Sequence, residues 1–357
     1  EMCIRDSTNY ELQDKTVLEM DIVDEQMDTM GKAFKALTIG CARCHDHKFD
    51  PITTKDFYQL FAFFNNFDGK PETGGRSGLD FKRGLQAPYI DLPSASQRHY
   101  LSQFDATLSE LRQESKKLKE ALAGNESSPE AENLKTLEKA IQYQQKGRDA
   151  LMMQVPAAMV MKEREEVRPA FILKRGVYDQ YGEEVMRDTP SFLPAMTKKG
   201  ETPSRLDLAQ WMVRSDHPLT ARVAVNRFWQ QCFGMGLVKT SEDFGLQGER
   251  PSHPELLDYL ARDFMESNWI LKRLMKQLVM SKTYRQSSGV SPHQRDIDPA
   301  NRWLGRGSRY RMDSEMIRDQ IFEVSGLLNP VMGGKSVKPP QPAKLWEIVA
   351  MPFSYPR

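Results

Sequence analysis

Between Leu101 and Leu151 the apolar residues recur at intervals of three and four. Leu101, Phe104, Leu108, Leu111, Leu118 and Leu122 form one seam, interrupted at Ser115. Leu134, Leu137, Ile141 and Leu151 continue it on a returning arm. Ala123–Ser127 reads as the turn between them. Ser128-Pro129-Glu130 reads as a helix start, with a capping hydroxyl and proline in the first turn. The pattern predicts an antiparallel helical hairpin roughly 35–45 Å long at ~1.5 Å per residue. Lys and Glu crowd its outer positions, which reads as a solvated face on a spacer or docking arm.

The flanking segments carry other patterns. Phe34–Gly40 is helix-compatible, and Gly40 relieves crowding before Cys41. Asp50-Pro51-Ile52 breaks the chain, and Thr53 or Thr54 can cap a helix over Lys55–Asn65. That helix carries Phe57, Tyr58, Leu60, Phe61, Phe63 and Phe64, which read first as core and second as a wall against a flat cofactor. Asp68–Gly84 holds five glycines and reads as mobile surface. Arg168–Pro194 holds short β-prone pieces punctuated by proline, which predicts a small strand pair. Helices follow over Leu206–Arg214, Pro218–Phe233, Ser252–Phe264, Ile270–Tyr284 and Asp313–Leu328. The expected fold is therefore mainly α. It comprises a segment over 8–92, the charged hairpin over 93–166, an extended or β connector over 167–202 and a helical domain over 203–357.

Composition narrows the function. Fifty basic residues against 49 acidic ones leave a net charge of +1, which argues against a general nucleic-acid surface. No run of 18 apolar residues occurs, so no membrane span is expected. Two of the four cysteines lie in one pentapeptide, which leaves no disulfide framework.

That pentapeptide, Cys41-Ala42-Arg43-Cys44-His45, has the C-x-x-C-H form of a c-type haem attachment site. Each thiol can add to one vinyl group of a porphyrin, and the adjacent imidazole can serve as proximal iron ligand. Zinc is the rival cofactor, because His47 extends the run to C-x-x-C-H-x-H. Against zinc, Cys3 and Cys232 lie alone and supply no second ligand pair. A redox dithiol would need a surrounding βαβ pattern, which is absent. The plainest reading is two buried thiols and a surface histidine.

Around the pentapeptide, Arg43, His47 and Lys48 can hydrogen-bond a propionate, and Asp46 or Asp50 can orient His45. His217 and His253 both precede helices. They read first as capping or packing residues and second as a distal iron ligand or a general base. Arg222 and Arg227, five apart, make a weak anion clamp. Glu242, Asp243 and Glu249 lie near His253 in sequence, yet spacing alone supports no paired-carboxylate site. No phosphate loop, G-x-S-x-G elbow or H-E-x-x-H occurs, so no enzymatic activity is assigned.

Three stretches taken together, Gly40–Asp56, Pro203–Arg227 and Phe228–Leu260, resemble the planctomycete-type cytochrome c proteins. In that family a cytochrome segment precedes two planctomycete-specific domains of unknown function. The resemblance implies c-type haem held by Cys41, Cys44 and His45, an electron-transfer role and a periplasmic or secreted setting. It also implies association with polysaccharide degradation. The implied partners are a redox protein or a cytochrome segment outside this chain, and carbohydrate-active proteins. The alternative is a non-redox structural or carbohydrate-associated module with zinc on Cys41, Cys44 and His47. Glu1–Ser7 has no signal-peptide character and Met351–Arg357 ends within a loop, so the chain is expected to be an internal fragment.

Overall fold

The computed structural model describes residues 15–69, 78–122, 129–197, 200 and 202–333. The expected turn at 123–127, residues 70–77 of the Gly-rich stretch and both terminal segments lie outside them. Two compact units emerge. One combines the chain up to Ile90 with Met159–Arg311, and the other combines Asp91–Ala158 with the chain from Met312.

The first unit begins with α1 (Lys15–Lys35), a 3₁₀ turn over Ile39–Arg43 and α2 (Thr54–Asn65). α1 ends earlier than the sequence pattern suggests, because Ala36 adopts a left-handed φ of 49°. Distant residues satisfy the last carbonyls. Arg227 donates to the carbonyls of Lys32 and Ala33 at 2.8 and 3.0 Å. Phe244 N–H donates to the Ala36 carbonyl at 2.8 Å. α2 starts on a capping box in which Thr53 and Asp56 satisfy each other's backbone N–H. Its Phe57, Tyr58, Leu60, Phe61, Phe63 and Phe64 are all buried in a core shared with Met27, Ile39 and Trp211. They are the core of the unit and present no wall to a cofactor. At the end of α2, Arg187 and Arg205 take the carbonyls of Ala62 and Phe63, both at 3.0 Å. α3 (Leu79–Arg83) is a short helix where mobile surface is expected. Its Gly84 closes it in the left-handed conformation.

The chain leaves through β1 (Tyr89–Asp91), forms α4 (Ala95–Leu122) and α5 (Pro129–Met152), and returns through β2 (Ala157–Met159). α4 and α5 pack as the expected hairpin. Leu108 and Ser115 are buried in its seam, and Arg148–Asp105 and Lys119–Glu138 pairs link the arms at 2.6 and 2.9 Å. At 28 residues, α4 spans ~42 Å. A Cβ on Gly147 would lie 2.9 Å from Phe104, so the small residue makes room for that ring.

In the first unit, β3 (Ala170–Leu173) pairs antiparallel with β4 (Tyr181–Val185) and packs against α2. Then follow α6 (Arg205–Met212), α7 (Thr220–Phe233), α8 (Pro254–Glu266), α9 (Leu271–Met280), α10 (Lys282–Arg285) and α11 (Pro292–Ile297). α7, α8 and α9 enclose a second core around Val225, Trp229, Leu260 and Leu278. α12 (Ser314–Val324) closes the described chain. None of the helices among the described residues is long and apolar enough to cross a membrane.

Candidate functional site

The pentapeptide sits on the 3₁₀ turn between α1 and α2. Ile39 and Ala42 point into the core, with 1 % and 0 % of their surfaces exposed. This anchoring leaves Cys41, Cys44 and His45 exposed, so the plain reading of two buried thiols does not hold. Gly40 has room on its protein side, since an added Cβ would meet only Asp28 Oδ1, at 3.6 Å. Crowding within the protein therefore does not explain that glycine. Gly176, in the turn between β3 and β4, is constrained. Its φ is 70°, and a Cβ there would lie 2.7 Å from Cys44 Sγ.

The remaining polar groups of the loop hold it in place. Arg43 is turned inward, paired with Asp24 and, at 3.3 Å, with Asp21 on α1. Its own carbonyl accepts from Tyr58 at 3.0 Å. Burial pushes the Asp24 carboxyl up to about 7, against the opposing pull of Arg43. Asp46 accepts from Thr54 N–H at 2.8 Å, and Asp50 accepts from Leu246 N–H at 2.7 Å. Lys48 lies over the exposed Phe49 ring at 5.0 Å. The Asp46 carboxylate thus serves the backbone at the start of α2 and that of Asp50 ties the loop to the distant Leu246, so neither takes the part of orienting His45 that the spacing suggested.

As neutral rings, the two histidines of the loop take different tautomers. His45 Nδ1 lies 2.7 Å from the Asp46 carbonyl oxygen. A carbonyl only accepts, so the ring proton is on Nδ1 and Nε2 keeps its lone pair. His47 Nδ1 instead accepts from the N–H groups of Asp50 and Phe49, at 2.8 and 3.3 Å. Its proton is consequently on Nε2, and its side chain is 9 % exposed. His45 presents a ligand-ready nitrogen, and His47 does not. Cys232, which could have joined a zinc set, is buried in the second core. Among the described residues, no three His, Cys, Asp or Glu side chains converge on a metal-sized site.

The other singled-out residues lie elsewhere. His217 is buried, with Nδ1 3.1 Å from Thr220 Oγ1 at the start of α7 and its ring edge-on to Trp211. Burial, with Lys35 nearby, lowers its pKa to about 4. His253 precedes α8, with Nδ1 3.0 Å from Ser252 Oγ and its ring against Trp303. Arg222 pairs with Asp258 at 2.6 Å, while Arg227 caps α1, so no anion clamp forms. Glu242 pairs with Arg227, Glu249 with Lys239, and Asp243 accepts from Gly245 N–H. Each acidic group already serves local structure.

Spacing could not reveal Asp21, Asp24, Gly176 or Leu246, because each reaches the loop from a distant part of the chain. One cluster was also unforeseen. Lys35 is fully buried, with Nζ 5.1 Å from the Trp211 ring centre and no hydrogen-bond partner among the described residues.

Comparison with known proteins matches two separate stretches of the chain. Residues 3–69, which include the pentapeptide, match PSCyt2, a protein family of unknown function (DUF1549). Residues 204–354 match PSD1, a second family of unknown function (DUF1553). No curated protein and no solved structure matches the chain. In this order the chain carries the two planctomycete cytochrome c-associated domains of unknown function to which the sequence resemblance points.

Proposed function

We propose that this chain binds one c-type haem and acts in electron transfer. Cys41 and Cys44 would hold the group through thioether bonds, and His45 Nε2 would be the proximal ligand. The donor set fits. Two exposed thiols flank a residue anchored in the core, and the adjacent imidazole has its other nitrogen fixed by a backbone carbonyl. The His45–Asp46 contact carries the proposal, because a ring N–H held by a carbonyl orients the imidazole and raises its basicity as a ligand. When bound, the haem would supply a one-electron couple. Arg43 does not serve a propionate in this reading, since its guanidinium is committed to Asp21 and Asp24. The periplasmic or secreted setting, a redox partner and a link to carbohydrate-degrading proteins belong to the same proposal and rest on the family resemblance.

The test is expression together with a cytochrome c maturation machinery, followed by a pyridine haemochrome spectrum. Haem that stays bound after denaturation, and is lost in a Cys41→Ala/Cys44→Ala variant, is the expected outcome. His45→Ala should keep the covalent attachment and change the iron spectrum. A colourless protein carrying one equivalent of zinc would overturn the proposal in favour of the zinc reading.

A further inference from the structure

A second cleft lies in the PSD1 region, between the end of α7 and the segment 288–310, with a volume of about 430 Å³. Four arginines line it: Arg295, Arg302, Arg306 and Arg309. No aspartate or glutamate does. None of the four guanidinium groups is paired with a carboxylate among the described residues. The nearest acidic residue in sequence to Arg302, Asp298, is turned to the backbone, where its carboxylate accepts from the N–H groups of Arg302 and Trp303.

Neutral oxygens orient three of the arginines. Arg302 donates to the carbonyls of Gly236 and Leu237 at 2.9 and 3.0 Å. Arg306 Nη2 donates to the carbonyls of Asp298 and Pro299 at 3.0 and 2.9 Å. Arg309 Nε donates to Ser288 Oγ at 3.2 Å. A guanidinium has five N–H donors, and these contacts use only part of each set. Four positive charges around one concavity, with no carboxylate among its described lining residues, generate a potential that attracts anions. Two rings of the second core, Trp229 and Phe233, form part of the lining. Trp229 and Phe233 are stacked with ring centres 4.0 Å apart. The Tyr310 ring closes over Gly234, where an added Cβ would lie 2.6 Å from it. Gly234 has a φ of 78°, so glycine answers both the close approach and the backbone turn that ends α7.

We infer that this cleft binds a small ring-bearing oxyanion, held through its phosphate, sulfate or carboxylate groups by the lining arginines. Guanidinium groups suit this role because their fork matches the oxygens of such groups two at a time. An apolar ring face would rest on Tyr310, the exposed aromatic side chain of the lining. Haem attachment plays no part in the inference, so it stands or falls apart from the proposal above.

Calorimetric titration of the whole chain tests it with four probes: pyrophosphate, a sulfated disaccharide, a uronic-acid disaccharide and a neutral disaccharide. At least one anionic probe should bind, with affinity falling as salt rises, and the neutral sugar should not. Which anionic probe binds most tightly identifies the group recognised. Arg295 and Arg309 are exposed, so an Arg295→Gln/Arg309→Gln variant should keep its unfolding midpoint and lose about tenfold or more in affinity, the worth of one charge-assisted hydrogen bond. Failure of all three anionic probes would overturn the inference. Equal binding of the neutral sugar, or undiminished anion binding in the folded double variant, would do the same.

Discussion

Replacing Lys35 by methionine should make this protein more stable at neutral pH, although it deletes a charged residue. Lys35 closes α1 with none of its surface exposed. Among the described residues its Nζ has no hydrogen-bond partner, and it lies 5.1 Å from the Trp211 ring centre, with His217 packed on the same ring. Burial lowers its pKa from 10.5 to about 7. The folded state therefore favours the neutral amine, while the unfolded chain keeps the ammonium up to its ordinary value. Unfolding takes up a proton between those limits, so this group's contribution to stability improves as pH rises from 7 to 10.5 and is worst below 7. At about 1.4 kcal/mol for each pH unit, the amine subtracts on the order of 4 kcal/mol at pH 7 and under about 1 kcal/mol at pH 10. Attraction to the Trp211 face is worth about 2 kcal/mol at best for a desolvated cation, too little to reverse the sign. Methionine has similar length and no charge to desolvate. Urea unfolding of wild type and Lys35→Met at pH 7, 8.5 and 10 measures the difference, with groups common to both proteins cancelling. The variant should lead by several kcal/mol at pH 7 and converge with wild type by pH 10. A difference that stays constant over that range would refute the reasoning, because it would mean that the buried lysine does not titrate there.

Three further outcomes follow from the same geometry. His217 is held neutral with a pKa near 4, so wild type should lose up to ~3 kcal/mol as pH falls from 6.5 to 4, while His217→Asn, which can still cap α7, should lose less; unfolding midpoints at pH 7 and 4.5 compare them. Gly176→Ala places a Cβ on Cys44 Sγ in a left-handed backbone, costing about 1–2 kcal/mol, and should change the alkylation rate of Cys44 as read by mass spectrometry of its peptide. Arg43→Leu leaves Asp24 without its counter-charge and should cost about 2 kcal/mol at pH 8 but less at pH 5, where that carboxyl is protonated; equal losses at the two pH values in urea unfolding would count against this account.

Elements with their own periodicity were legible in the sequence. The seam from Leu101 through Leu151 became α4 and α5, and the β-prone pieces after Arg168 became β3 and β4. Boundaries set by distant contacts were not. α1 stops at Lys35 because Arg227 and Phe244, some two hundred residues later, take its last carbonyls and that of Ala36. Helices as short as Leu79–Arg83 and Pro292–Ile297 are too brief to show a repeat. The second nevertheless announces itself locally, since Ser291 and Gln294 form a capping box with Pro292 in the first turn. The arginine cleft has no such local signature. Its four cations are separated by three to seven positions along an irregular stretch, and their charge balances globally against 49 acidic residues that lie elsewhere.

The candidate site shows most sharply where reading residue types stops. C-x-x-C-H-x-H offers two imidazoles, and nothing in their spacing says which one has a free nitrogen. The fold separates them through the turn that follows. Pro51 halts the chain, and the N–H groups of Phe49 and Asp50 then need an acceptor, which His47 Nδ1 provides at 3.3 and 2.8 Å. His45 lies before that turn, meets only the carbonyl of Asp46, and takes the opposite tautomer. A zinc site on Cys41, Cys44 and His47 would have to strip the proton from His47 Nε2 or break both backbone contacts. A haem ligand at His45 requires neither change. The backbone of residues 46–50 therefore favours the first imidazole as the ligand, and exchanging His47 for asparagine, whose oxygen can accept the same N–H groups, should leave haem attachment intact.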